Sequence, residues 1–357
     1  MPDSILSSEK ERIVWLDVLR VLSAFAIVLI HTASSIMEYL PFPSLNWLGA
    51  DLYLAAARYA VPVFVMISGV FFLNPGKNIT LKNIYGKYIF RMLCVLFAWA
   101  LIRSLTVDIW LNEKPFSDLG ISFVNSIKTF WFLPMIIGLY AVTPILRPVT
   151  EKGGKVLVEY LILLGFVMGL CIPVAQGLFP KFSLLNDFVT VIKLPVMIFI
   201  AHFVFGYYAY TYDLSKRTKY FLYICSVLCI LLMAAGAYLT FDDKTSKIFF
   251  YAMHGASVAP LAFVLGAGVF ILCKDLLSKI NFAIQASNWI RRLAAYSLGV
   301  YLCHIIIVEV LAHFSFFGKA AFASFFIIPL LAFLIFCAAN LIIACLYQVK
   351  LIRKYFL

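Results

Sequence analysis

Apolar runs of about twenty residues follow one another along almost the whole chain, separated by short polar, basic or Gly/Pro-containing intervals. That is the length an α-helix needs to cross the hydrocarbon layer of a bilayer. The pattern predicts ten such helices, near residues 14–36, 47–73, 87–107, 129–147, 156–175, 188–211, 219–240, 249–273, 293–313 and 321–348. The last is long enough to tilt or to extend beyond the bilayer. The second and fourth are interrupted by Pro62, Pro134 and Pro144, which membrane helices tolerate where their neighbours satisfy the freed carbonyls. The polar stretch Met1 to Arg12 leads into an apolar run too long for the core of a signal peptide, and no small-residue cleavage pattern follows, so this run reads as a retained helix. The longest non-apolar interval, Asn112 to Asn125, is too short for a folded domain. Residues 1–357 therefore read as one all-α, polytopic membrane domain.

Composition excludes a soluble alternative. The 357 residues are 64% hydrophobic and 13% charged, with a mean hydropathy of +0.99. A net charge of +12 would suit a nucleic-acid partner, but the placement of the cations points to topology instead. Segments 1–13, 74–91, 147–155, 212–219, 274–292 and 349–357 lie on one side of the expected bundle and carry 19 of the 29 Lys and Arg; the opposite segments carry seven. The positive-inside rule then puts both termini in the cytoplasm, and nucleic acid is not an expected partner. The eight cysteines sit in or beside apolar segments without metal-type or secreted spacing, and Cys225 with Cys229 at i, i+4 reads as packing.

Candidate chemistry concentrates on the first helix. Arg20 and His31 are eleven positions apart, a step that returns to within about 20° of alignment and rises ~16 Å along the axis. Asp17 precedes Arg20 by three, and Ser35 and Glu38 follow His31 on the same face. Ionisable groups at this depth cost at least ~2.5 kcal/mol each and face the bundle interior or a wet cavity, so the stripe marks a functional site. A histidine near the outer face suits proton transfer from a hydroxyl, whereas a permanently charged guanidinium nearer the cytoplasm suits a phosphate-bearing or thioester donor. Arg58, one turn before Pro62, either takes part or serves as counter-ion to Asp51 or Glu38. His304, in an apolar run with Glu309 five residues on, is either functional or a helix-to-helix hydrogen bond. His202, His254 and His313 read as structural, and Arg103 with Asp108 lies at a helix end where snorkelling suffices. No histidine pair has metal-ligand spacing, so no metal is expected.

These residues carry a family resemblance. Trp15-Leu16-Asp17-Val18-Leu19-Arg20, then Leu29-Ile30-His31-Thr32, resembles the signature of the acyltransferase family 3 membrane proteins. Arg58 to Gly69 is similar to that family's second block, Trp131-Phe132-Leu133-Pro134 to a third, and Tyr296-Ser297-Leu298-Gly299-Val300-Tyr301-Leu302-Cys303-His304 to the carboxy-terminal one. The resemblance implies an O-acyltransferase of the bacterial cytoplasmic membrane. Such an enzyme moves an acyl group, usually acetyl from acetyl-CoA, to a hydroxyl of a cell-envelope glycan, such as lipopolysaccharide, or of a lipid-linked saccharide. By that likeness His31 is the catalytic base, with Asp17 and Arg20 beside it in the catalytic set. Arg20 engages the donor by the same likeness; Arg58, Arg91 and His304 are the further donor-binding candidates, and membrane lipids surround the whole. Lys77, Lys82, Lys87 and Arg91, with Arg291 and Arg292, offer phosphates a cationic inner face, although topology alone also places cations there. The runner-up is an exporter or flippase for a glycan or lipid, which buried charge in ten helices would also serve; the ordered blocks favour the enzyme.

Overall fold

The computed structural model describes residues 13–172, 174, 197–241 and 260–357. These form helices joined by short turns, with no strand among the described residues. In chain order they are α1 (Val14–Met37), α2 (Leu45–Ala57), α3 (Ala60–Phe72), α4 (Leu81–Leu111), α5 (Leu119–Thr129), α6 (Phe132–Lys152), α7 (Gly154–Cys171), α8 (Met197–Thr211), α9 (Lys216–Thr240), α10 (Pro260–Leu277), α11 (Ile284–His313), α12 (Ser324–Leu346) and α13 (Lys350–Tyr355). Among the described residues, nine helical spans are long and apolar enough to cross a membrane. The protein is an all-α polytopic membrane protein. The expected spans 188–211 and 249–273 are described only from Met197 and Pro260 onward, and His254 lies outside the described residues.

The second expected helix is broken in two. Pro62 has no N–H to offer the Arg58 carbonyl, and the chain turns at Arg58–Tyr59 between α2 and α3. The Ser44 hydroxyl starts α2 by accepting from the Trp47 N–H at 3.1 Å. Helix α4 starts earlier than hydropathy alone suggests, because Thr80 accepts from the Asn83 N–H, and it contains π-helical turns at Ile84–Ile89 and Ser104–Leu111. Helix α11 likewise begins at Ile284 through a polar stretch that carries Arg291 and Arg292. The interval expected as an outer loop contains α5, whose buried face is hydroxylic rather than apolar: Ser122 and Ser126 are buried, and Ser126 shares a 2.9 Å hydrogen bond with Ser104. Hydropathy does not reveal such a face.

Helix α6 continues past its expected end to Lys152. Near that end Arg147 donates to the carbonyls of Phe72, Asn74 and Lys77 at 3.0, 3.2 and 2.8 Å, capping the C-terminus of α3. Helices α3 and α8 meet backbone to backbone, since a Cβ at Gly69 would overlap the Phe203 carbonyl and one at Gly206 the Met66 carbonyl.

Helix α1 is the hub, packed against α2, α3, α10, α11 and α12. Leu16, Leu19, Val28, Ala33 and Ile36 are wholly buried, while Arg20 and His31 keep some exposure within the bundle. The outward faces of α9 and α12 present Phe221, Ile224, Phe326 and Leu341, as side chains against lipid tails should.

Candidate active site

The stripe on α1 spans two levels of the bundle. At the lower level Asp17 is buried and accepts from the Arg20 guanidinium at 3.3 Å, while Phe71 of α3 lies under the same guanidinium at 5.6 Å. The Arg20 side chain is still 23% exposed, because it opens into a cavity of about 160 Å³ walled by α1, α3, α4, α6 and α11. Helix directions fix the order of its walls. Ser68, Tyr140 and Ser297 stand near Arg20, and Ile27, Phe64, Phe132 and Tyr301 stand one to two turns higher. The cavity is therefore polar at its floor and apolar at its top. Three rings close the top: Phe64 and Phe132 lie 6.2 Å apart and Phe132 and Tyr301 5.4 Å apart.

His31 is the next turn of α1 above Ile27, and His304 the next turn of α11 above Tyr301. Their rings lie 5.2 Å apart, tilted by 53°, with the Tyr301 ring 6.0 Å from His304. His304 is fully buried, and its Nδ1 sits 3.0 Å from the Val300 carbonyl. A carbonyl only accepts, so Nδ1 carries the proton and Nε2 presents its lone pair. That buried Nε2 has no hydrogen-bond partner among the described residues. Arg58, at the break between α2 and α3, lies close enough to His31 and to the buried Asp51 to interact with both through its charge.

The residues singled out from sequence thus fall into two groups. Asp17, Arg20 and Arg91 belong to the lower end, where Arg20 and Arg91 both act electrostatically on Tyr140. His31, His304 and Arg58 belong to the upper level. His304, a donor-binding candidate from the sequence, lies against the His31 ring, and Arg58, another, interacts through its charge with both His31 and Asp51. Glu38 is exposed just beyond α1.

The family model of an acyltransferase domain matches residues 13–349, nearly the whole chain. The chain belongs to this acyltransferase family. No curated protein and no solved structure matches it. It is a multi-pass membrane acyltransferase, and the two levels suit that chemistry, with a cationic site beneath a narrow cavity and an imidazole with a free lone pair above it.

Sequence reasoning missed two parts of the acyltransferase. Tyr140, on the cavity floor, looks like any aromatic of an apolar helix. Arg103 does not snorkel outward. Its side chain is 12% exposed and turns into the bundle to meet Glu309 of α11, so Glu309 serves Arg103 rather than His304. A carboxylate in one apolar run, without a cation on its own helix after Arg292, and a cation in another were the available signal. His202 packs between the rings of Phe199 and Phe263 at 5.4 and 5.0 Å, away from the cavity.

Proposed function

We propose that this acyltransferase takes acetyl from acetyl-CoA on the cytoplasmic side of a bacterial cytoplasmic membrane. The acceptor is a hydroxyl of an envelope glycan or lipid-linked saccharide presented from the opposite side. The observation that carries the reading is the cavity joining Arg20 to the level just below the His31–His304 pair. Its volume of about 160 Å³ suits the thin pantetheine arm of coenzyme A better than its nucleotide. The excess of cations on the Arg20 side supports a cytoplasmic mouth there.

In this reading Arg20, held by Asp17, draws the donor in, and the thioester rises to the aromatic collar. His31 removes the proton from the acceptor hydroxyl as its oxygen attacks the thioester carbonyl carbon. The C–O bond forms, the C–S bond breaks, and the leaving thiolate recovers the proton from His31, giving ester and free thiol. Arg58, at the His31 level, suits the oxyanion of the tetrahedral intermediate better than a phosphate. His304 is a positioning residue, its Nε2 lone pair available to orient a protonated His31.

The deciding experiment follows labelled acetyl from acetyl-CoA into envelope glycans, using membranes that contain the wild type or His31→Ala. Label that enters only with the wild type supports the reading, and fractionation names the acceptor. Equal label with a correctly inserted His31→Ala protein overturns the role of His31, and no label with the wild type overturns acetyl-CoA as donor. Orientation has its own test: a reporter at Asn112 should read out on the non-cytoplasmic side, and a cytoplasmic signal there would exchange the donor and acceptor mouths.

A further inference from the structure

At the lower end of the bundle five cations converge on one hollow of about 770 Å³: Lys87 and Arg91 of α4, and Lys350, Arg353 and Lys354 of α13. None of them pairs with an Asp or Glu side chain among the described residues. Three rest on rings instead, with Lys87 over Tyr88 at 5.6 Å, Arg353 over Tyr347 at 5.5 Å and Lys354 over Tyr355 at 4.8 Å. The positive-inside rule explains cations on this face one at a time. It does not explain five without an acidic side-chain partner around a single concavity.

The hollow is built rather than incidental. The segment after α13 is fastened to α4 by the Trp99 indole, which donates to the Phe356 carbonyl at 3.0 Å, and by Arg91, which donates to the Leu357 carbonyl. These bonds hold the basic helix over the π-helical turn Ile84–Ile89. At Gly86 of that turn a Cβ would meet nothing within 4 Å, so the hollow is open there. Helix α4 links the two spaces, since Arg91 lines the hollow and the adjacent Met92 lines the cavity.

A broad cationic basin with aromatic rings, followed by a narrow cavity, matches a ligand with a bulky phosphorylated head and a thin neutral arm. We propose that this hollow binds the phosphate-bearing nucleotide end of an acyl-CoA donor, with Lys350, Arg353 and Lys354 of α13 as its principal phosphate contacts. This rests on the acyl-CoA reading above and gives that donor a docking site. An anionic lipid headgroup offers the same phosphate chemistry and is the competing occupant.

The test is calorimetric binding without turnover, on purified protein in phosphatidylcholine nanodiscs with and without phosphatidylglycerol. The ligands are CoA, 3′-dephospho-CoA and pantetheine. The Lys350→Ala/Arg353→Ala/Lys354→Ala protein should bind CoA at least about tenfold more weakly than the wild type and 3′-dephospho-CoA less affected, with pantetheine unchanged. A Lys350→Arg/Lys354→Arg protein should keep CoA affinity, which separates charge loss from misfolding. CoA affinity equal in the triple variant and the wild type overturns the proposal, as does an effect seen only as loss of phosphatidylglycerol dependence. Wild type that binds CoA but transfers no acetyl overturns the transfer reading and leaves the hollow standing. Wild type that transfers acetyl while the triple variant binds CoA normally does the reverse.

Discussion

Arg103 grips Glu309 through both carboxylate oxygens, tying α4 to α11 one turn and a half beyond His304. The remaining guanidinium nitrogen reaches Asp108 at 3.3 Å and Ser126 at 3.0 Å, and Lys114 completes the cluster on Asp108. Truncating one partner of a buried pair strands the other charge. Arg103→Ala should therefore destabilise the bundle by roughly 3–5 kcal/mol. The double variant Arg103→Met/Glu309→Gln, which strands neither, should recover most of that loss. Thermal or denaturant unfolding of the purified protein measures both, and a double variant as unstable as Arg103→Ala would contradict the account.

His31 and His304 should separate by the kind of defect they produce. His31→Ala removes the proposed base and should cost transfer about 10²-fold or more. His304→Gln keeps a polar group against Val300 but removes the imidazole lone pair. It should lower turnover less and also move the midpoint of the pH–rate profile. A turnover loss with an unmoved midpoint would reduce His304 to packing.

Arg20 should act on donor affinity. Arg20→Ala should raise KM for the acyl donor by about tenfold, the equivalent of one lost charge-assisted contact, with a smaller change in kcat. Arg20→Lys should recover part of it, because the charge survives and the fork does not. Asp17→Asn should show the same pattern more weakly, since it loosens the guanidinium without removing it. An effect confined to kcat would move Arg20 from donor capture to the chemical step.

Gly69 and Gly206 should tolerate no side chain. In each, an added Cβ runs into a backbone carbonyl of the facing helix, which cannot rotate away. Gly69→Val and Gly206→Val should cut the yield of folded protein and lower its melting temperature, whereas Gly86→Ala, which meets nothing, should not. Size-exclusion profiles of detergent-extracted variants distinguish them, and a monodisperse, wild-type-like Gly69→Val would refute the close approach.

Apolar run length made the membrane bundle readable in the sequence, because bilayer thickness imposes it. The alignment of Arg20 with His31 was readable too, since helical periodicity within one segment needs no tertiary knowledge. Partnerships between segments were not. That His304 faces His31, that Arg58 sits at their level, and that Glu309 belongs to Arg103 all depend on how helices remote in sequence rotate against each other. The amphipathic α5 was hidden for a different reason: its buried face is made of serines, which hydropathy counts as loop.

The rings of Phe64, Phe132 and Tyr301 separate the cavity below from the histidines above. A protein that handles one reactant from each face of a membrane runs the danger of becoming a leak. An apolar constriction sheds water and stops hydrated ions far more readily than it stops a neutral acyl chain. Where that collar lies between donor and acceptor, the two reactants can meet while the ion gradients across the membrane are kept.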